Sequence, residues 1–247
     1  MAIYLKQFEN HTQYENYING SDAILPNVSI CTSEGDVHYN PYVVPPTPSH
    51  DYVEIGGIKW ATMNIGANSI TDKGLYFQWG DINGYTASQV GSGEGQKYFG
   101  QDDCIYYNNG SYTKYNSTDG KMVLDASDDA VAAAWGGQWR MPTSAEYVAL
   151  GAATTSAWTA DYQGSGVSGL VLTDKTDSSK VLFFPACGYC VNGRVRNVGG
   201  DGSYWSGSLL SNNVLSAHHL SFDSSSVSWQ TNSGRFYGFL VRGVLDE

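Results

Sequence analysis

The stretch that most constrains the fold of this chain runs from Ser203 to Arg242. Trp205, Leu220, Phe222, Val227, Phe239 and Val241 form an apolar framework, and Ser, Asn, His, Asp and Tyr fill the positions between them. The pattern is too regular for a linker and too polar for an ordinary core, so it reads as strands with one face exposed. Ser, Asn, Gly and Tyr on a rigid β framework are also the residues of antibody-type paratopes, which combine adaptable hydrogen bonding with contact area at low entropic cost. The stretch is therefore read as a displayed binding surface that the rest of the chain holds in place.

With 247 residues the chain has room for one substantial domain and a small appendage. Gly and Tyr are abundant, Lys and Arg scarce, and no long apolar run occurs, so no membrane insertion is expected. The start, M-A-I-Y-L-K-Q-F-E-N, has neither a basic n-region nor an apolar h-region, and no secretory signal is expected from it. A net charge of −11 argues against nucleic acid, whose binding needs a basic patch. Between Val181 and Val241 the only acids are Asp201 and Asp223, which suits a contact surface, although random placement on an acidic protein would look much the same.

Cys31, Cys104, Cys187 and Cys190 are too few and too scattered for a disulfide framework. The Cys187-Gly-Tyr-Cys190 pair reads as a strand entering a turn, not as a redox motif opening a helix. His218 and His219, adjacent in a strand, point to opposite faces and make a poor half of a zinc site. The thiols are expected to be buried or semi-buried and free, with no metal and no cofactor.

In chain order, residues 1–40 read as an attachment or oligomerisation unit: a helix opened by the capping box at Thr12 to Glu15, then strands at Val28 to Cys31 and Val37 to Tyr39. Ile24-Leu25-Pro26 is its expected apolar contact, and residues 41–50 form a Pro-rich extended linker. The main domain, 51–247, opens with a hairpin turning at Gly56-Gly57. A helical turn capped at Ser69 to Asp72, a strand from Leu75 to Trp79 and long loops from Gly80 to Asp119 follow. Ser127 is expected to cap a helix through Trp135, and Thr143 to Glu146 a second one. After that helix the reading contains only loops and strands: Gly169 to Thr173, Lys180 to Phe184, Tyr204 to Ser206, Ala217 to Phe222, Val227 to Gln230 and Gly238 to Val244. The fold class is α+β, with two short helices, a small twisted antiparallel sheet and long loops.

Six segments, taken in order, resemble a known family: Lys59 to Ala67, Phe77 to Asp81, Asp128 to Tyr147, Phe183 to Tyr189, Tyr204 to Ser208 and Gly238 to Val244. With W-R-M-P-T-x-x-E and the distal Y-W-S and V-R, they are similar to the Fibrobacter succinogenes major paralogous domain. That resemblance implies a C-type-lectin-like fold of the formylglycine-generating-enzyme type from about Asp51 onward. A narrower resemblance is to the variable proteins of diversity-generating retroelements, phage tropism determinants among them, whose mutable positions lie in the last strands and loops. The segment P-N-V-S-I-C-x(5)-V-H-Y-N-P also resembles phage structural proteins of gut bacteria.

On that resemblance the variable surface spans about residues 194–237. Its candidate ligand-binding residues are Asn197, Asp201, Ser203, Tyr204, Ser211, Asn212, Asn213, His218, His219, Ser221, Asp223, Ser226, Ser228, Trp229, Asn232, Phe236 and Tyr237. Tyr204 and Trp229 are the expected hot spots and Trp205 the core anchor. The partners implied are a protein or glycan receptor on a bacterial cell surface and, through residues 1–40, a phage tail or other structural protein. A homotrimer is implied by analogy with tail tips, and the location is the virion or else the bacterial cell surface.

No H-x-x-x-H, H-E-x-x-H or G-x-S-x-G spacing occurs, and the chain is read as a non-enzymatic binding protein. The E-P-N or Q-P-D tripeptide of calcium-dependent lectins is missing too, so calcium-mediated sugar recognition is not expected. Cys187 departs from the F-L-P-A-A-G-Y pattern of the family, and the Cys187/Cys190 pair lacks the context of a copper site. Asp128-Asp129 reads as complementing a helix dipole, Arg140 as bonding carbonyls or stacking on a ring, and Glu146 as completing its capping box. Asp102-Asp103 stays open between ion ligand and solvated surface. A bacterial adhesion or carbohydrate-binding module of the same fold is the alternative, and an enzyme of the formylglycine-generating type a more distant one.

Overall fold

The computed structural model describes residues 50–246 and the backbone of three short strands before them. The chain divides into two compact units, Met1–Thr47 and Pro48–Glu247. In the first, β1 (Gln7–Phe8) pairs parallel to β2 (Ser29–Thr32), and β2 pairs antiparallel to β3 (Val37–Tyr39). The hairpin was expected; β1 was not. The expected helix at Thr12, the Ile24–Pro26 contact and most of the proline-rich linker lie outside the described residues.

The second unit is α+β in character, made of small antiparallel sheets with few helices. It starts with the hairpin of β4 (Tyr52–Ile55) and β5 (Ile58–Asn64). Gly56 and Gly57 at its turn both take positive φ, 62° and 78°, the geometry a two-residue turn needs to follow the strand twist. The long loop region carries only the small hairpin of β6 (Tyr107–Asn108) and β7 (Ser111–Tyr112) and two 3-10 turns at Ala87–Gln89 and Gln101–Asp103. In the expected strand at Leu75 to Trp79, only Tyr76 and Phe77 form bridges. From Ser69 to Asp72 the chain makes one hydrogen-bonded turn, with Asp72 N donating to Ser69 O at 3.2 Å, and the Asp72 carboxylate accepts from the Asn68 and Gly74 amides.

The first expected helix is shorter than its sequence pattern. A 3-10 turn at Ala126–Asp128 precedes α1 (Ala130–Trp135), and the cap is Asp129, not Ser127. One Asp129 oxygen accepts from the Val131 and Ala132 amides and the other from Met141 N, so this carboxylate ties α1 to β8 (Trp139–Arg140). Asp128 turns away to Lys114, Tyr106 and Tyr115. The capping box of α2 (Ser144–Ala153) forms as expected from Thr143 and Glu146. Arg140 clamps Glu146 with both Nη atoms, at 2.8 and 2.7 Å, and donates to Met141 O, which holds the start of α2 against β8.

Beyond α2 the chain makes β9 (Thr154–Thr159), β10 (Gly169–Asp174) and β11 (Val181–Pro185) in one sheet, then the small hairpin of β12 (Tyr189–Val191) and β13 (Arg194–Arg196). β9 was not expected, because its T-T-S-A-W-T sequence lacks an apolar alternation. A three-stranded meander of β14 (Gly202–Leu209), β15 (Ser216–Phe222) and β16 (Val227–Gly234) follows. The last strand, β17 (Arg242–Leu245), returns to lie between β5 and β8, pairing Val244 with Trp60 and with Arg140.

Every residue of β14 is buried, because its two faces enter two different cores. Tyr204 packs with Tyr147, Leu150, Leu220 and Phe222 on the side covered by α2. Trp205 packs with Phe77, Trp79, Phe239 and Val241 on the other.

Arg242 is fully buried and joins the start, middle and end of the unit. Its Nε donates to Asn64 Oδ1 at 2.8 Å, Nη1 to the carbonyls of Ala61 and Thr62, and Nη2 to Phe183 O at 3.0 Å. The guanidinium lies 4.5 Å from the centre of the Phe184 ring. Burial lowers its pKa, yet arginine starts so high that it stays charged. Arg242→Met is expected to destabilise the unit by about 3–5 kcal/mol, since it leaves buried acceptors on two strands, β5 and β11, unpaired. Arg242→Lys should recover only part of this, because an ammonium cannot reach all of these acceptors. Urea unfolding of the three proteins checks the ranking, and a loss under about 1 kcal/mol for the methionine variant would contradict this role.

Candidate functional site

Strand register decides which candidate residues meet. Trp205 pairs with His219 and His219 with Thr231, so these residues share one face of the meander. Ser203, Ser221 and Ser228 follow on that face through the pairs Ser203–Ser221 and Ser221–Ser228. His218 and Asn232 pair with each other on the opposite face, the one that α2 covers. The candidate residues therefore do not form a single patch.

Ser203, Tyr204 and His219 are buried, at 5%, 0% and 5% exposure, and cannot contact a ligand. For Ser203 and Tyr204 the reason is that β14 is sandwiched between two cores. Tyr204 donates to Pro185 O at 2.8 Å, accepts from Asn64 Nδ2, and stands edge-on to Phe184. The expected hot spot is a core residue. The buried imidazole of His219 lies 4.5 Å from Phe239 and meets Ser233 Oγ through Nε2 at 3.0 Å.

Above that base the face carries aromatic rings and hydroxyls. Tyr237 is 5.6 Å from Phe239, 6.0 Å from Tyr189 and 4.7 Å from the stacked ring of Phe236. Tyr189, Phe236 and Tyr237 are half-buried, as are Ser221, Thr231 and Ser233, while Ser228 is exposed. Tyr189, Thr231 and Ser233 were absent from the sequence candidates. The alternation of Ser228 with Thr231 and Ser233 was obscured by a bulge, since two β16 residues occupy the interval opposite Leu220. Tyr189 comes from a distant hairpin and no local signal marks it.

The aromatic end is held rigidly. Gln78 Nε2 donates to Phe236 O at 3.0 Å. Arg235, fully buried, lies 3.7 Å from the centre of the Tyr112 ring and bonds the carbonyls of Lys114, Tyr115 and Val214 through Nη1. Burial pushes its pKa down to about 10, which still leaves it charged at neutral pH.

The other candidates lie at the two ends of the meander. The exposed Ser211, Asn212 and Asn213 occupy the β14–β15 loop, next to the Phe236–Tyr237 end, where Arg235 N donates to Leu215 O. At the far end Asn197 donates to Asp201 Oδ2 at 2.6 Å, and Gly188 N donates to Asp201 O beside Tyr189. Asp223 and Ser226 form the β15–β16 turn, where Asp223 Oδ1 accepts from Ser225 and Ser226. Trp229 faces α2, half-buried against Gly151.

Three free thiols, Cys104, Cys187 and Cys190, are buried. Burial pushes Cys104 up to about 11 and Cys187 and Cys190 up to about 12, so little thiolate exists at neutral pH. Thiol reagents at pH 8 are expected to label these three cysteines slowly in the folded protein and quickly in urea. Labelling at equal rates would overturn the placement.

Burial lowers the His219 pKa from 6.5 to about 4, so the ring beneath the patch is neutral at pH 7. The unfolded chain takes up this proton as pH drops through 6.5, whereas the folded chain resists until about 4. Stability is thus fully present above the first value and falls across the interval, by about 3 kcal/mol in all. His219→Gln is expected to flatten this dependence, leaving the smaller contribution of His50, also lowered by burial. Urea unfolding at pH 7 and 4.5 gives the comparison; an unchanged slope would count against a buried neutral His219.

Among the described residues, no helix is long and apolar enough to cross a membrane, and no cluster of three or more His, Cys, Asp or Glu side chains is placed to hold a metal ion. Comparisons with protein-family models, with curated proteins and with solved structures find no match to this chain.

Proposed function

We propose that this chain is a non-enzymatic binding protein that displays a diversifiable ligand surface on a C-type-lectin-like scaffold, serving receptor recognition at a phage tail fibre tip. The observation that carries the reading is the half-exposed cluster of Tyr189, Phe236 and Tyr237 beside the row Ser221, Ser228, Thr231 and Ser233, on a base of Trp205, His219 and Phe239. Aromatic anchors bordered by short hydroxyl side chains are paratope chemistry. Ser221, Ser228 and Thr231 make no side-chain hydrogen bonds within the described residues, so they are open to substitution without loss of the framework. Pairing of the final strand β17 with the first hairpin of the unit, and the meander ahead of it, are arrangements that suit a C-type-lectin-like scaffold. Residues 1–40 would attach the protein to a tail or other structural protein.

A cell-surface or secreted adhesion module of the same fold is the second reading. The observation favouring it is a pair of half-buried tryptophans, Trp158 and Trp229, beside the Asp223–Ser226 turn. An enzyme of the formylglycine-generating type fits less well, since Cys187 and Cys190 are buried with strongly raised pKa values.

A variant combining Ser221→Asn, Ser228→Tyr, Thr231→Asn and Tyr237→Ser is expected to change which bacterial cells the protein binds, while its Tm moves by only a few degrees. Flow cytometry on a cell panel and calorimetry read the two quantities. A collapse of Tm, or unchanged binding, would count against the surface. The diversification itself predicts a reverse transcriptase gene and a near-copy of the 3′ coding end in the neighbouring DNA, differing at adenines. Sequencing of the locus decides this.

A further inference from the structure

On the α2 side of the meander, away from the aromatic patch, an open groove of about 320 Å³ runs between the edge strand β9 and the β15–β16 turn. Ser156, Trp158 and Leu170 line one wall, and Asp223, Ser224 and Trp229 the other. Its size is at the lower end of small-molecule sites. Trp158 pairs with Leu170 in register, which turns its indole toward the buried side at an exposed sheet edge. The ring stands edge-on to Phe222 at 6.5 Å.

Trp229 is placed by a glycine. A Cβ on Gly151 would lie 2.5–2.7 Å from three atoms of the pyrrole ring of Trp229, so it would sit over the ring face. Only the absence of a side chain at Gly151 lets the indole lie flat against α2, which leaves its second face to the groove. Both indole N–H groups lack a hydrogen-bond partner within the described residues and are not enclosed, so they remain available donors.

The wall of Trp229 also supplies an acceptor. Asp223 Oδ1 is occupied by the amides and hydroxyls of Ser225 and Ser226, which hold the turn and keep the carboxyl below its ordinary pKa. Among the described residues Asp223 Oδ2 has no partner, and neither do the hydroxyls of Ser156 and Ser224. The groove thus combines two half-buried aromatic platforms, a fixed carboxylate and serine hydroxyls, and the indole N–H groups of its two tryptophans have no partner among the described residues.

We infer that this groove binds a neutral hexopyranose ring of a glycan, without a metal ion. A pyranose offers a flat face of C–H groups that packs on the negative face of an indole, and hydroxyls around its rim that need a carboxylate acceptor and N–H donors. No Lys or Arg lines the groove, and Asp223 on a chain of net charge −11 repels sialylated, phosphorylated or sulfated sugars. A lipid or drug-like apolar ligand would strand the carboxylate and hydroxyls without partners. The inference deepens the binding-protein reading by adding a glycan site on a different face, and it can fail while that reading stands.

The test uses the full chain and methyl glycosides of glucose, galactose, mannose and N-acetylglucosamine, with oligosaccharides of each. Tryptophan fluorescence and saturation-transfer NMR measure binding, with EDTA present throughout. At least one neutral sugar is expected to bind saturably, its oligosaccharide more tightly than its methyl glycoside. Trp158→Ala and Asp223→Asn are each expected to weaken this about tenfold, with Tm within a few degrees of the parent. Asp223→Asn retains an acceptor for the turn, so it keeps the test sound if the tryptophan variant unfolds.

No saturable binding by any of these sugars would overturn the inference, and so would binding only of sialyllactose. Equal affinity for monosaccharide and oligosaccharide would overturn a glycan as the source. Sugar binding lost in Tyr237→Ser but kept in Trp158→Ala would move it to the aromatic patch. Attachment to cells that depends on Trp158 but is not competed by any saccharide would make the occupant a protein and overturn the inference as well. If instead no sugar binds while the Ser221/Ser228/Thr231/Tyr237 variant still changes cell binding, the groove alone is refuted.

Discussion

The structure depends on one buried cation. Arg242 sits where the last strand meets the first hairpin and β11, and among the described residues no carboxylate pairs with it; its donors are met by Asn64 and three main-chain carbonyls. Burying a charge without a counter-ion is costly, and at Arg242 satisfied, fixed hydrogen bonds offset that cost. That requirement makes the site selective. The guanidinium is satisfied only when β5, β11 and β17 are all in place. Asn64 extends the constraint, since its amide also reaches Lys73 O and the Tyr204 hydroxyl, and so couples the closure to β14, the first strand of the meander.

From β14 the constraint passes to both faces of the meander. On one face Trp205, His219 and Phe239 make an aromatic base whose polar groups are satisfied, the neutral imidazole by Leu220 O and Ser233 and the Trp205 indole N–H by Phe77 O. Among the described residues, Ser233 alone of the hydroxyls above this base closes a buried hydrogen bond. On the other face α2 covers the sheet, and the flat approach at Gly151 creates a second aromatic surface at Trp229. Two chemically different surfaces thus arise on one small sheet. One is rich in hydroxyls and tyrosine; the other combines tryptophans with a carboxylate.

Much of this was legible in the chain. The Gly56-Gly57 hairpin, the Thr143–Glu146 capping box, the inward Trp205 and the opposed directions of His218 and His219 all follow from rules that act within a few residues. The failures share one cause, which is that a strand's neighbours decide its exposure. Ser203 and Tyr204 have paratope composition, but β14 lies between two cores. The Ser127 cap was displaced because Asp128 and Asp129 both found distant partners, in Tyr115 and Met141. Trp229 reads as a loop-end anchor, whereas a glycine on α2 turns it into the wall of a groove.

The sequence by itself determined the α+β class, the turns, the cap of α2 and the polar character of the last strands, since each rests on local backbone preference or on periodicity. Only the tertiary structure decided which of those polar residues reach solvent and which meet. A register pair and a bulge separate His218 and Asn232 from Ser221 and Ser228, and Tyr189 joins Tyr237 from a separate hairpin. Side-chain direction has a period of two along a strand, so a single bulge or one covering helix reverses what a composition can promise.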